Sequence, residues 1–187
     1  MHNIVLFGDS ITAGVINGFP SPLFSRMIRD ALGTYEIINR GGIGDQARTA
    51  LTRLQTDVLS ANPQVVVIFF GTNDCADPNT SPKDFQTALQ TMIDKIGRQR
   101  CVLVTPGITS RDAQQATPLF ATMNQYVQVV LKVGQANKIP TLNWQQVCQQ
   151  YSSDKLLQAD GIHYSKDAYR LLTNHLLPLI KTQLNRN

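Results

Sequence analysis

An imidazole is the side chain best suited to carry protons near neutral pH, and this chain has three, His2, His163 and His175. His2 adjoins the terminus, and His175 falls in an apolar helical stripe where a packed, hydrogen-bonded histidine is the expected role. His163 stands in a short polar stretch, Asp160-Gly161-Ile162-His163, with a carboxylate three residues upstream. One turn of backbone brings that carboxylate to the ring. Bonded to one ring nitrogen, it fixes the tautomer and stabilises the imidazolium, so the other nitrogen is free to take a proton from a hydroxyl. Ser10, in Gly8-Asp9-Ser10, would supply that hydroxyl, and the Ser10 N–H, the Gly44 N–H and the Asn73 side-chain amide could point at one developing oxyanion. Taken singly, these clusters also read as turns, because Gly, Asn, Asp and Ser suit left-handed backbone and local hydrogen bonds.

The elements that must position these residues are legible as alternating patterns. Apolar runs bounded by turn residues, Ile4 to Phe7, Tyr35 to Ile38, Val65 to Phe70, Cys101 to Val104 and the weaker Ile139 to Leu142, predict five strands. Between them, apolar residues recur at three- and four-residue spacing around Phe24 to Leu32, Leu51 to Val58, Phe85 to Ile96 and Phe120 to Leu131, and again from Ala168 to Ile180. Ser21-Pro22, Ser81-Pro82 and Thr117-Pro118 predict helix starts, and Ser165 is expected to cap the last helix. Strands apolar enough to be covered on both sides, alternating with helices, describe an α/β fold: a parallel sheet in a three-layer α/β/α sandwich. Its ligand crevice lies beyond the carboxyl ends of the strands. Gly8-Asp9-Ser10, Asn39 to Asp45 and Gly71-Thr72-Asn73-Asp74 follow the first three strands, while Thr105-Pro106-Gly107 after the fourth reads as an ordinary turn.

The 187 residues fit one domain spanning 1–187, with no repeat or linker. The 17 basic and 13 acidic residues give a net +4, but the cations are scattered singly, so a nucleic-acid partner is not expected. The longest apolar run is strand-sized, so no membrane span is expected. Met1 to Phe7 has neither a basic region nor a long apolar one, and three cysteines make an odd set, which together predict a cytoplasmic protein. Glu36 is the only glutamate, so an HExxH zinc site is absent, and neither a metal nor another cofactor is expected.

Four blocks in order, Gly8-Asp9-Ser10, the Gly44 segment, Gly71-Thr72-Asn73-Asp74 and Asp160-Gly161-Ile162-His163, span nearly the whole chain. In these the chain resembles the SGNH, or GDSL, hydrolase family. The resemblance implies a flavodoxin-like five-stranded parallel sheet, a triad of Ser10, His163 and Asp160, and an oxyanion hole from Ser10, Gly44 and Asn73. It also implies a small-molecule ester as substrate. The family spans lipases, carbohydrate deacetylases, thioesterases, lysophospholipases and arylesterases, so it does not name the ester. Gly41-Gly42-Ile43-Gly44 is richer in glycine than the family's pattern requires, and Gly44 is chosen for its place before Asp45.

Two rival readings belong to other classes. Gly42-Ile43-Gly44-Asp45-Gln46-Ala47 matches G-x-G-x-x-A between a strand and a helix, as in a nucleotide-binding turn, although Asp45 would set a negative charge beside the pyrophosphate. A non-catalytic module on the same fold would leave Ser10 and the Asp160–His163 pair without purpose. Within the hydrolase reading, no segment is long and apolar enough for a lid, so a small open pocket and short acyl groups are expected. Phe19, Cys75, Ile108, Arg111 and Ile162 are its candidate walls because they lie near the blocks.

Overall fold

The computed structural model describes residues 3–186. Five strands, β1 (Asn3–Gly8), β2 (Glu36–Gly41), β3 (Val65–Phe69), β4 (Cys101–Val104) and β5 (Thr141–Leu142), pair throughout in parallel in the order β2-β1-β3-β4-β5. All the carboxyl ends therefore open on one side. Alternation along the inner strands separates two apolar layers. Val5, Phe7, Val66, Ile68, Cys101 and Leu103 face one group of helices, and Ile4, Leu6, Val65, Val67, Val102 and Val104 face the other. This is the three-layer α/β/α arrangement expected.

The helices are α1 (Leu23–Leu32), α2 (Ala47–Ala50), α3 (Leu54–Asp57), α4 (Thr72–Ala76), α5 (Pro82–Ile96), α6 (Arg111–Ala116), α7 (Met123–Asn137), α8 (Trp144–Cys148), α9 (Ser153–Leu156) and α10 (Lys166–Leu184). Ser81 starts α5 as expected, accepting from the Asp84 N–H while the Asp84 side chain returns to the Ser81 N–H. Ser165 likewise accepts from Ala168 N at the start of α10; such caps are each worth about 1 kcal/mol.

Several expectations need correction. At α1 the proline occupies the cap position and the helix begins one residue later. Thr117-Pro118 opens a short 3-10 turn, Pro118–Thr122, so α7 starts only at Met123. The stripe Leu51 to Val58 is not one helix: a 3-10 turn over Leu51–Arg53 separates α2 from α3, and Arg53 leaves helical geometry at φ −106°, ψ 3°. Strand β2 is an edge strand, partly exposed rather than covered on both sides, and it runs on through the polar Asn39-Arg40-Gly41 because Gly41 pairs with Gly8. His175 is exposed; the buried rows of α10 are Ala168, Leu172, Leu176, Ile180 and the adjoining Tyr169, Thr173, which put residue 175 at the rim. His2 lies outside the described residues.

Candidate active site

Ser10 follows β1 directly, in a turn. Ala13 N donates to Asp9 O (3.0 Å) and Val15 N to Ser10 O (3.2 Å), so the chain makes a single coil and moves on. Three ties fix that coil: Ile11 N donates to Asp9 Oδ1 (2.9 Å), Asn39 Nδ2 to Thr12 O (2.8 Å) and the Tyr169 hydroxyl to Ile11 O (2.8 Å). It lies so close to β2 that a Cβ on Gly41 would collide with the backbone of Thr12 and Ala13, so only glycine fits there.

The loop before α10 brings the histidine to this serine. His163 Nε2 stands 2.9 Å from Ser10 Oγ, and His163 Nδ1 stands 2.7 Å from Asp160 Oδ2. Asp160 Oδ1 accepts from the N–H groups of Ile162 and His163, both at 2.9 Å, and so holds the turn that presents the ring. Burial works to raise the Asp160 carboxyl, but the bonds from Ile162 and His163 outweigh it and hold the group below the usual carboxylate range. A carboxylate only accepts, so the ring proton sits on Nδ1 and Nε2 is left to accept from the Ser10 hydroxyl.

Hydrogen-bond donors also stand in the segments that follow β1, β2 and β3. Among the described residues neither the Ser10 N–H nor the Gly44 N–H has a protein acceptor. Gly44 is held at φ +77°, a conformation that side-chain-bearing residues rarely adopt. Asn73, in α4 beyond β3, uses one amide hydrogen on Asp45 O (3.0 Å), which orients the group and leaves its second hydrogen for another acceptor. Ala47 N donates to Asp74 Oδ1 (2.9 Å) and Gln46 Nε2 to Asp77 Oδ2 (2.9 Å), so the loops that carry Gly44 and Asn73 are bound to each other.

Two parts of this arrangement escaped the sequence reading. Arg53 crosses beneath the Gly44 loop: Nε donates to Asp45 Oδ2 (2.7 Å), Nη1 to Arg40 O (3.0 Å) and Asp57 Oδ2 (2.8 Å), and Nη2 to Gly8 O (3.2 Å), with the guanidinium 4.6 Å from the Phe7 ring centre. One cation thereby joins the ends of β1 and β2. The second part is a pair of buried acids, Asp9 and Asp74. Burial pushes each carboxyl up to about 7; the Asp74 charge adds to the shift of Asp9, and that of Asp77 to the shift of Asp74. The two acids were signalled only by their place within the motif clusters, and Arg53 by nothing local.

The candidate walls stand in differing surroundings. Cys75 is 1% exposed and turns its thiol to Leu119 O (3.1 Å), and burial raises the thiol's pKa; it is a core residue. Ile162 is partly buried against the same apolar layer, and Arg111 is exposed at the start of α6. Ile108 lines a cleft of about 520 Å³ with Gln114, Asn124, Gln145 and Tyr151, and a second cleft of about 640 Å³ runs between Tyr151 and α10. Neither includes Ser10, Gly44, Asn73 or His163. Phe19 is 75% exposed in the hairpin that follows the serine turn. The glycine-rich turn at 42–47 leads only into the four-residue α2, with Asp45 engaged by Arg53, which gives a pyrophosphate no long helix to sit on.

The chain matches the model of the GDSL-like lipase/acylhydrolase family over residues 6–171. A crystal structure of a lipase/acylhydrolase from Enterococcus faecalis superposes with a TM-score of 0.91 at 35% identity, covering 98% of this chain and 97% of that one. The isoamyl acetate-hydrolyzing esterase 1 homolog of Homo sapiens is 26% identical over 97% of this chain and 82% of its own length. The isoamyl acetate-hydrolyzing esterase of Saccharomyces cerevisiae is 26% identical over 97% of this chain and 87% of its own.

Proposed function

The chain belongs to the GDSL-like lipase/acylhydrolase family and is a carboxylic ester hydrolase, and from that premise we propose that Ser10, His163 and Asp160 transfer a short acyl group from an ester to water. The observation that carries this reading is the line from Asp160 Oδ2 through both ring nitrogens of His163 to Ser10 Oγ, at 2.7 and 2.9 Å. His163 Nε2 takes the Ser10 hydroxyl proton as Oγ bonds to the ester carbonyl carbon, while Asp160 stabilises the imidazolium. The carbonyl oxygen, now negative, accepts from the Ser10 N–H, the Gly44 N–H and the free hydrogen of Asn73. Collapse breaks the bond to the alkoxy oxygen, which leaves with the proton from Nε2. Water then repeats the sequence on the acyl-enzyme and releases the acid.

Acetyl and other short acyl groups fit best. Neither described cleft includes Ser10 in its lining, and each added methylene gains its ~0.8 kcal/mol only while it still meets protein. Acetate is also the acyl group in the names of the human and yeast relatives. A serine-directed phosphonate should label one site per chain and fail on Ser10→Ala, and a panel of esters from about two to twelve acyl carbons should peak between two and six. Undiminished labelling of Ser10→Ala overturns the nucleophile; a preference for twelve-carbon acyl groups overturns the substrate class.

A further inference from the structure

Among the described residues, three side-chain hydrogen bonds join the serine segment, residues 9–21, to the histidine loop, residues 157–164. One is the contact of Ser10 with His163. The other two belong to a single side chain, Gln158: its Nε2 donates to Val15 O (2.8 Å), and its Oε1 accepts from Asn17 N (2.8 Å). The second hydrogen of Nε2 goes to Tyr164 O (2.8 Å), the residue after the histidine, and Gln158 N donates to His163 O (2.8 Å). Gly161 N closes the inside of the loop on Gln158 O (2.9 Å), and Leu157 bridges to Tyr164 at its base. The partners from the serine side are equally placed. Val15 N is bonded to Ser10 O, and Asn17 sits at φ +52°, which turns its N–H out of the local turn and towards Gln158.

We propose that Gln158 is a positioning residue for the hydrolysis, a clamp that sets the distance between His163 Nε2 and Ser10 Oγ by binding both of their loops with one amide. The two segments lie more than 140 residues apart in sequence, and no helix or strand contains the histidine loop. Asp160 orients the ring within its own loop; Gln158 fixes where that loop stands relative to the serine. The amide is required as such, because one side meets two carbonyl oxygens and the other meets an N–H. A misplacement on the order of 1 Å between a base and its nucleophile can cost about 100-fold in rate.

The proposal rests on the reading of Ser10 as nucleophile, so the test carries Ser10→Ala beside it. Gln158→Glu keeps the shape and the acceptor for Asn17 N but turns an oxygen on the carbonyls of Val15 and Tyr164. Gln158→Met keeps the length and removes every polar bond. Hydrolysis of a soluble acetate ester is measured for each, with kcat normalised to sites titrated by a phosphonate, so that only folded, reactive chains are counted. The expected result is a kcat per site lowered by ~10- to 100-fold in both variants, with KM within about twofold of the parent. A role confined to holding the fold would lower the titratable fraction or the melting temperature and leave kcat per site unchanged, and that outcome overturns the clamp. So does a rise in KM alone. If Gln158→Met does not accumulate, Gln158→Glu decides on the same criteria. Full turnover by Ser10→Ala overturns the nucleophile and the clamp together, whereas a dead Ser10→Ala beside unaffected Gln158 variants overturns the clamp alone.

Discussion

Ser10 is 7% exposed, at the end of an inner strand, with two buried acids and a multiply bonded arginine around it. Its partners are placed differently: the side chains of His163 and Asp160 are 22% and 44% exposed, on a loop that belongs to no strand or helix. The serine side takes its precision from close packing on β2 together with hydrogen bonds into β2 and α10. The histidine side takes it from hydrogen bonds. Lesions on the packed side should therefore cost stability along with rate, while lesions on the loop should cost rate with little change in melting. That is an experimentally separable difference.

The largest effects test whether the two sides act as one unit. Ser10→Ala and His163→Ala should each lower kcat by on the order of 10⁴- to 10⁶-fold, and the double variant should be no worse than either. Ester turnover with excess enzyme measures this, and additive losses would break the unit. Next in size is Asp160→Asn. Its Oδ1 can still accept from Ile162 and His163, but an amide now faces Nδ1 and favours the tautomer whose Nε2 cannot accept from Ser10. A loss of about 10³- to 10⁴-fold in kcat is expected, with a melting temperature shifted by less than about 2 °C; a large melting shift would erase the contrast between loop and sheet.

Arg53→Ala probes the packed side and should do both kinds of damage. Freed from Gly8 O, Arg40 O and Asp45, the Gly44 loop loses its brace, and kcat should fall ~10- to 100-fold, towards the cost of removing one oxyanion donor. Stability should drop by about 1 to 2 kcal/mol, less than the 3 to 5 of a fully buried pair because the arginine is about a quarter exposed. Unfolding in urea together with kinetics reads both, and a rate loss without a stability loss would place Arg53 with the loop.

The smallest effect concerns the buried acids and appears only with pH. Asp9 and Asp74 have carboxyls raised from 3.8 to about 7, so between those values the folded chain holds protons that the unfolded chain has released. Their contribution to stability is complete below about 4 and is lost as pH rises towards 7. Asp74→Asn should melt like the parent near pH 4 and above it near pH 8, by about 2 to 4 °C for each kcal/mol regained. Parallel melting profiles across that range would mean that Asp74 carries no such cost.

How much of this was legible in the sequence follows from the same contrast. Strands β1, β3 and β4 were readable because their residues are apolar on both faces, and Cys101–Val104 matches its expected bounds. Strand β2 was misjudged because an edge strand with polar Asn39 and Arg40 looks like the loop that follows it. The clusters that hold Ser10, Gly44 and Asn73 stand out because they follow strand ends, and Asp160 and His163 because the other two histidines lie at the terminus and in an apolar stripe. Arg53 and Gln158 do not, since each acts by reaching backbone atoms of distant segments, and a backbone carbonyl leaves no mark in the residue pattern. The kink at Arg53 leaves no mark either, because Leu51, Leu54 and Val58 keep helical spacing across it.

The three cysteines carry a practical consequence. Cys75 in α4, Cys101 in β4 and Cys148 in α8 are all buried and unpaired, and burial raises the pKa of every one of these thiols. Thiols of that kind meet an alkylating reagent only when the surrounding structure opens. The chain thus contains three native reporters of local unfolding: one behind the Asn73 loop, one in the sheet and one under the far edge. Mass-resolved alkylation under mild denaturant would time the opening of each region without a label having to be introduced.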